Sequence, residues 1–220
     1  MIAVRDLLRR LHAQQGITLA ELIVSMSILA IVTTVFLTTL SSVQRATVDQ
    51  QVRSDLNDQA RLAMMSIDRQ VRSGNLLYDP VQEGDPLGRV SGGAPVTGYL
   101  FRVYTQARMG GSTESRCVLW LLDDQRRLLT RYWNQDEDAD TATAWRVAAD
   151  GIVNFEEGVP PFVLDPEGRT VEVALAVNPD LDARPEATQW FEVSLTGRNT
   201  SFGYPSSVCG ELPSDMETST

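Results

Sequence analysis

Residues 17–40 read ITLAELIVSMSILAIVTTVFLTTL, and these twenty-four residues contain one ionisable side chain, Glu21. At about 1.5 Å per residue, a helix of this length spans roughly 36 Å, against roughly 30 Å for the hydrocarbon of a bilayer. A secretory signal peptide has a shorter apolar core followed by a small-x-small cleavage site, and SSVQRATVDQ after residue 40 does not supply one. We therefore expect a membrane-spanning segment that stays attached.

The residues that precede this segment predict its orientation. Arg5, Arg9 and Arg10 outnumber Asp6 there, and such a basic excess keeps the flanking segment in the cytoplasm. The remainder of the chain is then exported from a single-pass protein of the cytoplasmic (inner) membrane. An ordinary signal anchor explains the charges and the length, but it does not explain Glu21. A carboxylate costs up to about 2.5–3.5 kcal/mol at the bilayer centre and is a functional candidate wherever one occurs.

The junction GITLAE, residues 16–21, follows a short basic leader and opens the apolar run. It resembles the processing site of the type IV pilin family, which includes pilus subunits and the pseudopilins of secretion and DNA-uptake machines. The resemblance implies that prepilin peptidase cleaves between Gly16 and Ile17 and methylates the new amino group of Ile17. Residues 1–16 would be a cytoplasmic leader that is removed.

The same resemblance gives Glu21 a role in assembly. A chain that starts at Ile17 carries a charged amine at membrane depth, and Glu21 of a neighbouring subunit can neutralise it. The implied partners are other pilin or pseudopilin subunits, prepilin peptidase, an inner-membrane assembly platform, and lipid before assembly into an extracytoplasmic filament. Residues 60–75, ARLAMMSIDRQVRSGN, also resemble the end of the first helix in W-like minor pilins and J-like type II secretion pseudopilins. The alternative function is a signal-anchored cell-surface β-domain that binds a ligand without polymerising.

The segment from Ile17 to Ser73 contains neither Gly nor Pro, which predicts one continuous helix. We divide it into a transmembrane or filament-core half at residues 17–44 and an amphipathic half at residues 45–75. An apolar stripe at helical spacing marks the second half and comprises Val52, Leu56, Ala60, Ala63, Ile67 and Val71. We expect it to pack on the chain's own sheet rather than form a coiled-coil seam. Gly74-Asn75 predicts a left-handed C-cap.

Residues 76–210 read as an extracytoplasmic β-rich domain, followed by a flexible tail at residues 211–220. The predicted fold class is α+β, a pilin-like long helix packed on an antiparallel sheet. Alternating apolar residues and turn signals place strands at residues 98–105, 116–122, 126–133, 151–157, 170–177 and 189–197.

Two cysteines, Cys117 and Cys209, occur in the predicted exported domain. An oxidising compartment favours a disulfide between them, and the alternative is a pair of buried free thiols. Closing a loop of about ninety residues would contribute at most roughly 4–5 kcal/mol.

The densest acidic run, residues 134–140, contains alternate carboxylates at Asp136, Asp138 and Asp140 that could face one calcium ion. An EF-hand would require Gly and Glu at two positions that are Thr141 and Val147 in this chain. We expect a solvated loop there, and we expect no metal and no other cofactor.

The composition argues against several classes of function. The chain has 29 Asp and Glu against 19 Arg and no Lys, a net charge of −10, which disfavours binding to nucleic acid. The single His12 falls in the leader, so the processed chain lacks imidazole and amine catalysts. Adjacent carboxylates at 123–124 and 156–157 could be read as glycosidase pairs, but we expect the first pair in a solvated turn and the second on opposite faces of a strand. The prediction is therefore not an enzyme.

Overall fold

The computed structural model describes residues 18–91, 94–109, 112–198, 200 and 203–213. The predicted leader at residues 1–16, with His12, and the cleavage site between Gly16 and Ile17 lie outside the described residues, as does most of the predicted tail. The chain divides into two compact units, with the boundary between Gln50 and Gln51. Helix α1, Leu19–Ser73, runs through this boundary and confirms the predicted long helix.

The part of α1 in the first unit, residues 19–50, exposes its large apolar side chains on all sides. It is long and apolar enough to cross a membrane by length and composition. The Ser and Thr hydroxyls along it donate hydrogen bonds to carbonyl oxygens three or four residues earlier in the same helix, as Ser25, Ser27, Thr33, Thr34, Thr38, Thr39, Ser42 and Thr47 do. Because these groups are satisfied within the helix, they are compatible with an apolar environment.

The part of α1 in the second unit, residues 51–73, buries one stripe. Ala60, Ala63, Ile67 and Val71 are at most 2% exposed, and Leu56 is partly buried beside them. The predicted stripe is confirmed except at its first member, since Val52 remains 44% exposed. The helix therefore packs on the chain's own sheets, as the α+β prediction requires.

The second unit contains a five-stranded antiparallel sheet with the order β1-β4-β5-β6-β7. Its strands span Gly74–Leu77 (β1), Leu100–Met109 (β4), Ser112–Leu122 (β5), Leu128–Asn134 (β6) and Arg146–Ala149 (β7). Side chains alternate between its two faces. Val118 and Trp120 of β5 join the core under α1, whereas Cys117 and Leu119 join a second core on the opposite face.

A three-stranded antiparallel sheet, with the order β10-β9-β8, completes the core under α1. Its strands span Phe162–Leu164 (β8), Thr170–Val177 (β9) and Gln189–Thr196 (β10). A bridge between Ile152 and Val177 links the segment after β7 to β9. The short elements β2 (Val90–Ser91) and β3 (Ala94–Pro95) pair with each other, and helices α2 (Pro80–Glu83) and α3 (Asn154–Glu157) each form a single turn.

The predicted left-handed cap at Gly74-Asn75 is wrong, because Gly74 begins β1 directly and pairs with Thr105. Glycine is needed here for close packing. A Cβ on Gly74 would lie 3.0 Å from the Val71 carbonyl oxygen and 3.1 Å from Cγ1 of Val103.

The predicted strand at residues 151–157 is also wrong. Gly151 turns the chain with φ of 70°, and Asn154 begins helix α3. The buried Asn154 amide donates to the Val159 and Ala174 carbonyls, and its oxygen accepts from the Ala176 N–H. The Asn154 side chain thus takes the place of strand pairing along β9.

Candidate functional site

Glu21 lies in the first turn of α1, and its N–H donates to Oγ1 of Thr18 over 3.3 Å. Thr18 and Glu21 therefore occupy the first and last positions of a T-x-x-E capping box. A negative charge in the first turn also interacts favourably with the positive end of the helix dipole. The role of Thr18 was not predicted from the sequence, although the T-x-x-E spacing is a recognisable signal.

The surroundings of Glu21 are apolar. Leu22, Ile23 and Val24 follow it and are 47–57% exposed. Among the described residues, Glu21 forms no ion pair within its own chain. The carboxylate thus lies at the end of an apolar surface that the described part of the chain does not cover.

The two cysteines predicted to pair do form a disulfide, Cys117–Cys209, with Cα atoms 5.7 Å apart. It joins β5 to the C-terminal segment at residues 203–213. The Cys209 N–H donates to the Tyr78 hydroxyl, and Nη1 of Arg102 donates to the Gly210 carbonyl. Three connections thus hold this segment on the second core.

Arg102 also forms the most enclosed contact of this region. Its Nη2 lies 2.7 Å from Oε1 of Glu83, and its guanidinium carbon lies 3.9 Å from the centre of the Tyr78 ring. Burial raises the pKa of Glu83, and the positive charge of Arg102 offsets this only in part. Burial likewise raises the pKa of the Tyr78 phenol. A buried arginine held by a carboxylate, a ring and a carbonyl is a structural support for the C-terminal segment.

The three weak metal candidates lie in the loop after β6. Oδ1 of Asp138 accepts the Asp140 N–H and caps a short 3₁₀ helix, Ala139–Thr141, whereas Asp136 lies in the preceding turn. A cleft of about 520 Å³ separates this loop from residues 207–212. Within the described residues, no group of three or more Asp, Glu, Cys or His side chains is placed to hold a metal ion.

The structure does not bring the two acidic pairs together as a site. Asp123 is only 3% exposed, which contradicts the expectation of a solvated turn. Its carboxylate accepts from the N–H groups of Gln125 and Arg127 and from Nε of Arg127, so the turn uses it to satisfy its own donors. Glu156 pairs with Arg126, and Glu157 accepts from the Thr188 hydroxyl.

Residues 11–37 match the protein family described as the prokaryotic N-terminal methylation motif. The match covers the predicted cleavage site, Thr18, Glu21 and the start of the exposed apolar surface. This motif, at the head of a long helix packed on antiparallel sheets, supports a type IV pilin-like prepilin. Comparison with curated proteins and with solved structures gave no match.

Proposed function

We propose that this prepilin is a minor pilin or pseudopilin subunit that prepilin peptidase cleaves between Gly16 and Ile17. The processed subunit is then extracted from the cytoplasmic membrane into a type IV pilus-like filament. One observation carries the proposal: the methylation motif opens a helix whose first 32 residues, Leu19 to Gln50, are all exposed within the described chain. Lipid covers such a surface before assembly, and the helices of neighbouring subunits cover it afterwards.

Glu21 has a defined task in this assembly. Cleavage creates an amine at Ile17, close in sequence to Glu21, and methylation leaves that amine charged. A helix that moves from lipid into a packed filament must bury both charges, and an unpaired buried charge is strongly destabilising. Pairing the Ile17 amine of one subunit with Glu21 of the next neutralises both and fixes the register between the helices.

The sequence at the end of α1 favours a minor rather than a major subunit. The end of α1 resembles the W/J-like sequence pattern noted above, and many minor subunits initiate or cap filaments. The domain would lie outside the cytoplasmic membrane, where an oxidising environment suits the Cys117–Cys209 disulfide. An inner-membrane assembly platform would supply the work of extraction.

The test is mass spectrometry of the intact protein from native membranes, combined with reductive methylation by isotopic formaldehyde. Because the chain contains no Lys, its α-amine is its only amine. A processed and methylated chain starts at Ile17 and takes up a single heavy methyl group, whereas an unmodified amine takes up two. Gly16→Leu should retain residues 1–16, and Gln14→Leu is the matched control that should be processed normally.

A native product that begins at Met1 would contradict the proposal. It would instead favour a signal-anchored cell-surface domain that acts without polymerising.

A further inference from the structure

Strand β10 forms one edge of the three-stranded sheet. It pairs with β9 residue for residue, from Gln189 opposite Val177 to Thr196 opposite Thr170, without a bulge. On its other side, no described strand pairs with it. The domain therefore presents an eight-residue, regular and open strand edge.

The hydrogen bonds of β9 show which backbone groups of β10 face outward. The N–H groups of Ala174 and Ala176 donate to Pro161 and Asn154, on the side of β9 away from β10. Since alternate residues of a strand direct their N–H and C=O groups to opposite sides, Val173 and Leu175 bond to β10 through Val193 and Phe191. The backbone groups of Trp190, Glu192 and Ser194 consequently point to the open edge.

This edge lacks the features that normally prevent strand addition. Proteins protect open edges with Pro, bulges or charges, especially Lys. From Gln189 to Thr196 there is no Pro, Gly, Lys or Arg, and Glu192 is the single charge. Two large apolar side chains are also exposed, Trp190 at 41% and Val193 at 37%.

The surface beside the edge indicates the chemistry of an incoming strand. A concavity of about 490 Å³ lies beside this edge, and its apolar lining is formed by Val159, Pro160, Val163, Val173, Ala174 and Val193. The side chains of Glu172 and Glu192 line it with negative charge. A strand added to β10 would complement this surface if it carried a basic side chain, to pair with the carboxylates, between apolar side chains that contact the apolar residues.

A second copy of the chain fits this edge poorly. Arg61 of α1 stacks on Phe191, and the Val71 carbonyl lies beside Gly197, so α1 and β10 run in the same direction in this unit. Antiparallel pairing of two β10 strands would therefore place the α1 segments of the two folded domains, residues 51–73, in opposite directions. The net charge of −10 also disfavours pairing between copies.

We propose that β10 accepts, by β-strand addition, an extended basic–apolar segment from a different subunit that adjoins this one in the filament. This inference rests on the proposed function and names the partner chemistry of the folded domain. The added strand bonds to the backbone of Trp190, Glu192 and Ser194 and places a basic side chain near Glu192.

Residue-resolved amide exchange tests the proposal on the full chain, in native-membrane assemblies and as detergent-solubilised monomers. Assembly should slow exchange at Trp190, Glu192 and Ser194 by about tenfold or more, because strand addition covers these amides. The amides of Phe191 and Val193, already bonded to β9, should exchange slowly in both states. Equal exchange of the three outward amides in both states would overturn the proposal.

Two variants of β10 separate strand addition from folding. Ser194→Pro removes one outward N–H without breaking a bond to β9, so it should lower incorporation at least about tenfold while the monomer unfolds at an unchanged urea midpoint. Ser194→Thr is the matched control and should assemble normally. Should the proline variant fail to fold, Glu192→Arg replaces it, and normal incorporation of Glu192→Arg would count against the basic partner strand.

The identity of the added strand is the final criterion. When chains labelled with ¹⁴N and chains labelled with ¹⁵N are assembled together, cross-linking at residue 194 should not join a light chain to a heavy chain. A cross-link between a light and a heavy chain would mean that a second copy of this chain supplies the strand. Cleavage after Gly16 should persist in all β10 variants. Loss of the proposed function would appear as absent cleavage, whereas failure of this inference alone would leave cleavage and Glu21 dependence intact.

Discussion

The two parts of helix α1 differ in what covers their apolar side chains. Both are continuous α-helix, but residues 19–50 expose apolar side chains all round, whereas residues 51–73 bury a single stripe under the two sheets. Secondary structure is thus independent of what covers the helix. In the first part the described residues of the chain leave the apolar side chains uncovered, and in the second part the chain itself covers them.

Polar groups show the same contrast. In the first part, hydroxyl groups such as that of Thr34 bond to the helix's own carbonyls, 2.8 Å from Ala30 in this case. In the second part, side chains bond across to the sheets. Oε1 of Gln70 accepts from the Trp120 indole at 2.6 Å, and that of Gln59 accepts from the Asp150 N–H at 3.1 Å. The first part is self-sufficient in hydrogen bonds, and the second is tied to one set of neighbours.

The largest expected effect concerns the carboxylate at the head of the first part. Glu21→Gln should leave membrane insertion and cleavage intact but lower filament incorporation by about tenfold or more, because a buried amine then lacks its counter-charge. Glutamine keeps the capping box with Thr18, so the helix start is preserved. Quantitative immunoblotting of sheared filaments against membranes would measure this.

Glu21→Asp, which retains the charge, is the control for this variant. Incorporation of the glutamine variant at the wild-type level would show that the carboxylate has no role in pairing.

A core truncation in the second part tests where its stability comes from. Ile67 is fully buried, so Ile67→Ala should lower the free energy of unfolding of the folded domain by about 2–5 kcal/mol. Leu37, which is 56% exposed in the first part, is the matched site, and Leu37→Ala should leave that free energy unchanged. Urea unfolding in detergent, followed by tryptophan fluorescence, compares them, since all four Trp residues lie beyond residue 50. Equal losses of unfolding free energy in Ile67→Ala and Leu37→Ala would contradict the distinction between the two parts.

The sequence predicted the continuous helix and its buried stripe because helix periodicity and apolar run length are local signals. The stripe from Leu56 to Val71 and the strand at residues 170–177 were both correct for that reason. Gly74 and residues 151–157 were wrong because their conformations depend on distant partners, Val103 for Gly74 and β9 for Asn154. The buried Asp123 and the open edge of β10 likewise depend on tertiary pairing, which the spacing of residues along the chain does not encode.

A hydrogen-bond deletion sharpens the same comparison at smaller scale. Gln70→Met keeps helix propensity and side-chain length but leaves the indole N–H of the fully buried Trp120 without its acceptor, at a cost of about 1–3 kcal/mol. Thr34→Val in the first part removes a hydroxyl that bonds only within the helix, so unfolding of the domain should not change. Unfolding free energies and exchange of the Trp120 indole proton measure both, and an unchanged indole exchange rate in Gln70→Met would refute the bond.

The smallest effect concerns a second carboxylate, which contrasts with Glu21. Glu83 has its counter-charge in its own chain, yet burial still raises its pKa above the ordinary value of 4.5 because desolvation outweighs the attraction of Arg102. The folded protein therefore binds the proton of the Glu83 carboxyl group more tightly than the unfolded chain does. The stability that this proton contributes is lost as pH rises from about 4.5 through the folded-state pKa of Glu83. Glu83→Gln, which can still accept a hydrogen bond from Arg102, should remove this part of the pH dependence. Urea midpoints of the two proteins, measured at several pH values between about 4 and 7, should thus converge at the acidic end and differ in slope above it. Identical slopes would show that folding does not shift the pKa of Glu83, and would contradict the prediction.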